Sequence, residues 1–209
     1  MNPVRSIGIW SSILSFVFAI GYCIPELLST AGLLPHPHNL FWLFLPSLFL
    51  APAFLVTMLC LHYQADGELK IWTAPGAAFA IIYCAFATLT YFVQLTVVVP
   101  VQVSGGPADG IDVLLFDRQT FLMAIDCLGY FFMSLSTFFA AFAFRRLVNK
   151  WLYRALLYNG LLMPILILAF FYPVLYYVGA LWMISFPLAM VQAARLFRRN
   201  TASKLIMFK

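Results

Sequence analysis

The sequence predicts an all-α fold, a polytopic bundle of six transmembrane helices with both termini in the cytoplasm. Three observations carry that expectation. Of the 209 residues 64% are hydrophobic and 9% charged, with a mean hydropathy of +0.97. A soluble domain carries about 25% charged residues, so this chain lacks the polar surface that a water-soluble globule needs. The apolar residues also fall into runs long enough to cross a hydrocarbon core of roughly 30 Å. The cations, finally, gather in alternate connections, as the topology rule for membrane helices requires.

The first span is expected over 7–30. Ser11, Ser15, Ala19, Tyr22 and Glu26 recur at steps of three and four, which puts small and polar side chains on one face. Pro25 is expected to kink or end this helix and free a carbonyl. The run is longer than the core of a cleavable leader and shows no small-x-small cleavage pattern, so it reads as a retained span. A short loop with His36 and His38 leads to a second span over 39–62, where Trp42 suits an interfacial anchor. The third span, 72–99, opens on Trp72 and Pro75, and Tyr83, Ala87, Thr90 and Gln94 share a face.

The longest connection follows. Its Gly-Gly-Pro and Asp-Gly pairs are turn signals, and its IDVLLF piece suits the membrane surface. The fourth span, 121–144, is a nearly unbroken apolar run interrupted by one carboxylate, Asp126. Gly129, Tyr130, Met133, Ser134, Thr137 and Ala141 continue its face. The fifth and sixth spans, 153–171 and 175–197, are separated by a turn near Tyr172–Pro173, although 155–194 is so evenly apolar that it divides in more than one way. Residues 1–200 are read as one transmembrane domain and 201–209 as a basic cytoplasmic tail.

With the N-terminus inside, the inner segments hold Arg5, Lys70, Arg145, Arg146, Lys150, Arg154, Arg195, Arg198, Arg199, Lys204 and Lys209, and the outer ones only Arg118. That distribution fixes the expected orientation. It also accounts for the net charge of +5 without nucleic acid, since cations at helix ends face anionic lipid headgroups. Cys23, Cys60, Cys84 and Cys127 all lie in apolar runs, with no C-x-x-C pair, and read as small buried hydrophobes.

Orientation makes depth readable. Asp126 lies five residues inside the outer end of its helix, about 8 Å at 1.5 Å per residue. Glu26, Gln94, Tyr22, Tyr91 and Tyr130 fall at similar levels. A carboxyl in hydrocarbon is costly unless sheltered by protein or a wet cavity. One reading is therefore an outward-facing cavity with Asp126, and with it Glu26, as a proton or cation site. The other is that Asp126 hydrogen-bonds a tyrosine or Gln94 and pins two helices, while Glu26 is a solvated interfacial acid.

His36 and His38, two apart and flanked by prolines, fit a solvated loop first and a metal site only with an outer carboxylate. No cofactor is expected: no span offers a histidine at mid-depth for haem, and no phosphate loop, H-E-x-x-H or G-x-S-x-G pattern occurs.

Tyr91-Phe92-x-Gln94, followed about thirty residues on by Asp126-x-x-Gly129-Tyr130 and Ser134, resembles segments of small, uncharacterised multi-pass membrane proteins of bacteria. The likeness covers about a quarter of the chain. It implies a shared helical membrane fold and a place in the bacterial cytoplasmic membrane, and it brings no established activity.

Three functions compete on these grounds. The first is a protein that binds or transports a small solute or a proton through the cavity around Asp126. The second is an intramembrane enzyme on a lipid-like substrate, with Asp126 or Glu26 as acid or base. The third is an accessory subunit of a larger membrane complex. The partners expected are the bilayer, a small-molecule or lipid ligand, and a second copy or a membrane-complex subunit.

Overall fold

A computed structural model describes residues 3–105, 110–117, 120–147 and 150–198. Arg118, Arg199, Lys204, Lys209, the 201–209 tail and most of the Gly-Gly-Pro turn lie outside the described residues. All regular structure among the described residues is helical. Six helical stretches are long and apolar enough to span a membrane: Pro3–Thr30, His38–Gln64, Gly67–Val103, Phe121–Ala143, Trp151–Leu168 and Leu175–Arg198.

The first two stretches are single helices, α1 (Pro3–Thr30) and α2 (His38–Gln64). Pro25 sits inside α1, which runs on for a further turn, so of the two expectations for Pro25 the helix end does not occur. The third stretch is α3 (Lys70–Val93), a π-helical turn over Gln94–Val98, and α4 (Val99–Val103). Pro100 explains the widened turn. It has no N–H for the Thr96 carbonyl, and its ring crowds that carbonyl; the Val99 N–H reaches back to Gln94 O instead. The fourth stretch is α5 (Phe121–Ala143), unbroken because it holds no proline.

The fifth and sixth spans are each built in two pieces. The fifth is α6 (Trp151–Gly160) and α7 (Met163–Leu168), and the sixth is α8 (Leu175–Gly179) and α9 (Trp182–Arg198). The joint at Leu161–Leu162 follows from Pro164, which cannot donate to Gly160 four residues back. Leu162 N–H instead bonds the Asn159 carbonyl at 3.3 Å. Pro187 stays inside α9 and frees the Met183 carbonyl in the same way. Cys23 Sγ on α1 lies 3.9 Å from that oxygen.

Each span packs on its neighbours in sequence, and α9 closes the circle against α1. The ring brings together the ends of α1, α3 and α7 with the starts of α2, α5 and α8 at one end of the bundle. The eight described cations, Arg5, Lys70, Arg145, Arg146, Lys150, Arg154, Arg195 and Arg198, belong to the other end. There Arg5 joins the first span to the last, donating from Nε to Phe197 O and from Nη2 to Arg198 O, each at 2.6 Å.

Small residues set the closest approaches. Ser136 Oγ on α5 donates to the Gly76 carbonyl of α3 at 2.6 Å, and a Cβ at Gly76 would stand 3.0 Å from the Ser136 carbonyl. Gly160 on α6 lies so close to α5 that a Cβ there would be 2.6 Å from Phe138 Cα. Small residues let membrane helices approach until packing and polar contacts hold them. Beside Gly160, buried Asn159 ties three spans: its Nδ2 donates to Thr137 Oγ1 on α5, and Ser185 Oγ on α9 donates to its Oδ1, both at 3.1 Å. Large apolar side chains such as Trp10, Phe49, Ile81, Leu89, Leu128 and Ile184 stand exposed on the outward faces, as lipid contact requires.

Candidate functional site

The end of the ring away from the cations holds a half-open chamber of about 460 Å³ to which all six spans contribute. Its size lies within the usual range for small-molecule sites, about 300–1,000 Å³. Three acids line it, Asp117 from the connection before α5 and one from each of two helices. On α1, Tyr22 and Glu26 are one turn apart; on α5, Asp126 and Tyr130 repeat the arrangement in reverse order. Residues four apart in a helix share a face, so each helix's acid enters the chamber beside a tyrosine, and all four line it.

Asp126 is 6% exposed. Its Oδ1 is buried with no hydrogen-bond partner, and Tyr91 from α3 is the hydrogen-bonding neighbour of its carboxyl. Tyr91 Oη also stands 3.0 Å from Tyr130 Oη, so carboxyl and two phenols form one chain across α3 and α5. Glu26 is only partly buried and sits at the wall formed by α1.

The remaining walls are aromatic and aliphatic. Trp182, at the start of α9, is held on three sides. Its Nε1 lies 3.2 Å from Met133 Sδ, and its ring stacks on Phe186 at 5.1 Å. Tyr22 and Tyr130 meet it nearly edge-on, at 83° and 90° and with centroids 5.9 and 5.4 Å away. Leu40, Leu43 and Phe44 from α2 and Leu162 and Leu166 from the jointed fifth span complete the apolar lining. The short helices matter here: Tyr176, Gly179 and Ala180 of the sixth span also reach the chamber.

The connection between α4 and α5 folds back over this end. Phe116 packs edge-on against Phe44 at 5.1 Å, and Phe44 in turn stacks on Tyr91 at 5.8 Å. Phe116 and Asp117 thus line the chamber, where the sequence suggested a segment lying on the membrane surface.

Of the six residues singled out by depth, five line the chamber: Tyr22, Glu26, Tyr91, Asp126 and Tyr130. Gln94 does not. It is fully buried, and its Nε2 donates to the Leu114 carbonyl at 2.6 Å, which fastens the returning connection to α3. Depth alone could not separate it from the others, because three residues on from Tyr91 its side chain is turned about 60° around the helix. His36 is exposed in the α1–α2 loop and His38 exposed at the first turn of α2. Among the described residues no three His, Cys, Asp or Glu side chains are grouped closely enough to hold a metal ion. Trp182, Phe44 and Phe116 were not foreseen as site residues, since aromatic side chains in apolar runs carry no local mark of the cavity they face.

Chemically, the chamber offers three carboxyls, Glu26, Asp117 and Asp126, with a chain of phenols and a set of aromatic walls; among the described residues no Lys, Arg or His lines it. It can therefore accept hydrogen bonds or positive charge at the acids while burying an apolar body. Compared with protein-family models, characterised proteins and solved structures, the chain matches none.

Proposed function

We propose that this integral membrane protein binds a small solute in the chamber around Asp126 and passes it across the membrane. The observation that carries this reading is a chamber of about 460 Å³ shared by all six spans and lined by three carboxyls, Glu26, Asp117 and Asp126, with no Lys, Arg or His among its described lining residues. A carboxyl among apolar spans is costly unless protein or a wet cavity shelters it, and such acids mark solute and ion paths.

Two further features support transport over simple retention. The chamber sits at the end opposite the cations, so the positive-inside rule directs it away from the cytoplasm. Both jointed spans border it, so the joints at Leu161–Leu162 and Ala180–Leu181 give its wall two places to bend.

Native mass spectrometry of protein released from its host membranes into mild detergent tests this. A small mass retained by the wild type and lost from Asp126→Asn, with yield and melting temperature unchanged, is the expected result. Retention of the mass by Asp126→Asn, or failure of that variant to fold, supports a purely structural acid instead.

A further inference from the structure

The chamber is built for a particular charge. Resting on the proposed solute-binding reading, we propose that its ligand is an amphipathic organic cation, an ammonium group attached to an aromatic or branched apolar body. Three rings stand at one corner: Tyr22 and Tyr130 both meet Trp182 close to a right angle, with centroids within 6 Å of it. Rings set around a corner in this way can turn electron-rich faces to one point, which is how aromatic cages hold quaternary ammonium groups. Two of the three lining acids enter beside the same two tyrosines, Glu26 one turn from Tyr22 and Asp126 one turn from Tyr130. Cage and negative charge are therefore delivered to one place by the same helix faces.

The other ligand classes fit less well. An anion would enter a chamber with three carboxyls and, among the described residues, no lining cation. A neutral apolar molecule would fill the walls of Leu40, Leu43 and Leu166 but bring no counter-charge to the lining carboxyls. A bare metal ion would find, among the described residues, no three His, Cys, Asp or Glu side chains grouped closely enough to hold it. A cation with an apolar body meets both demands, since its charge reaches the acids and its body displaces water from the leucines. The restrained Trp182, fixed by Phe186 on one face and Met133 at its N–H, is pre-organised for the contact and loses little rotamer freedom on binding.

The test uses the full chain in lipid nanodiscs, with empty nanodiscs subtracted, and three benzyl probes of different charge, the cation and the neutral one isosteric. Benzyltrimethylammonium is the cation, neopentylbenzene its neutral counterpart, and phenylacetate the anion. Equilibrium dialysis should show saturable binding of the cation, weaker binding of the neutral probe and none of the anion. Asp126→Asn should weaken cation binding about ten- to a hundredfold, the loss of one charge-assisted contact. If Asp126→Asn does not fold, Glu26→Gln and Trp182→Leu decide: a fall in cation binding in both upholds the inference, and no change in either overturns it. Equal binding of neutral probe and cation, both lost in the chamber-filling Ser134→Phe, overturns the inference while leaving the solute-binding reading intact. Binding of none of the three overturns it too. In that case a small mass co-purifying with the wild type keeps the solute-binding reading, and its absence removes both.

Discussion

Gly160→Ala is the smallest change with the largest expected effect on the scaffold beneath the chamber. The added carbon would lie 2.6 Å from both Cα and Cβ of Phe138 and 2.7 Å from its backbone N. Carbon atoms rest about 3.5–4.0 Å apart. The obstacle is largely backbone, so no rotamer change relieves it, and α6 has to draw back from α5 by about 1 Å. Asn159 moves with it. Its two bonds, each 3.1 Å, stretch to about 4 Å and are lost. Overpacking contributes about 1–3 kcal/mol, and interhelical hydrogen bonds in membranes average about 0.6 kcal/mol each, so the loss of stability should be about 2–4 kcal/mol. Reversible unfolding in lipid–detergent micelles against increasing SDS gives the number. Gly179→Ala is the control, because a Cβ there meets nothing within 4 Å. If Gly160→Ala is as stable as Gly179→Ala, the close contact between α5 and α6 is wrong.

Other consequences are open to measurement. Phe116→Ala removes the ring that packs on Phe44 and should loosen the connection over the chamber, so a bound ligand should dissociate severalfold faster with little change in thermal stability. Gln94→Leu removes the donor to Leu114 O and should speed amide exchange across 110–117 while binding to the chamber changes less than on replacing Asp126. Arg5→Ala should lower unfolding stability by about 1–2 kcal/mol through loss of its bonds to Phe197 O and Arg198 O, an effect that Arg5→Lys only partly restores. For orientation, with Cys84 and Cys127 replaced by Ala, a membrane-impermeant maleimide added to intact cells should label Ser104→Cys and spare Trp151→Cys; the reverse pattern would invert the topology.

The six spans were legible because hydrocarbon thickness imposes a length on every apolar run, and the fourth span shows this best. Its expected bounds, 121–144, differ by one residue from α5, since nothing within the run breaks a helix. The same logic identified Asp126 as an acid in need of shelter. What stayed hidden was decided by contacts between elements. The joints in the fifth and sixth spans lie within evenly apolar sequence, and Pro164 marks the first only to a reader who follows its missing donor back to Gly160. Nothing at Ala180–Leu181 marks the second. Gln94 and Tyr91 lie three residues apart at nearly one depth, yet they are turned about 60° apart around the helix, so one meets Leu114 and the other stands beside Asp126. The aromatic corner was equally invisible, because Tyr22, Tyr130 and Trp182 come from three spans and meet only when the ring of helices closes.

An electron cryomicroscopy map of the wild-type protein in nanodiscs, resolved well enough to place side chains, decides whether the chamber around Asp126 holds a ligand. It should show Asp126 lining the chamber, with non-protein density between the lining carboxyls and the ring of Trp182. A map in which Asp126 points into the lipid tails, or in which side chains from α7 and α8 fill the space completely, would contradict the solute-binding reading.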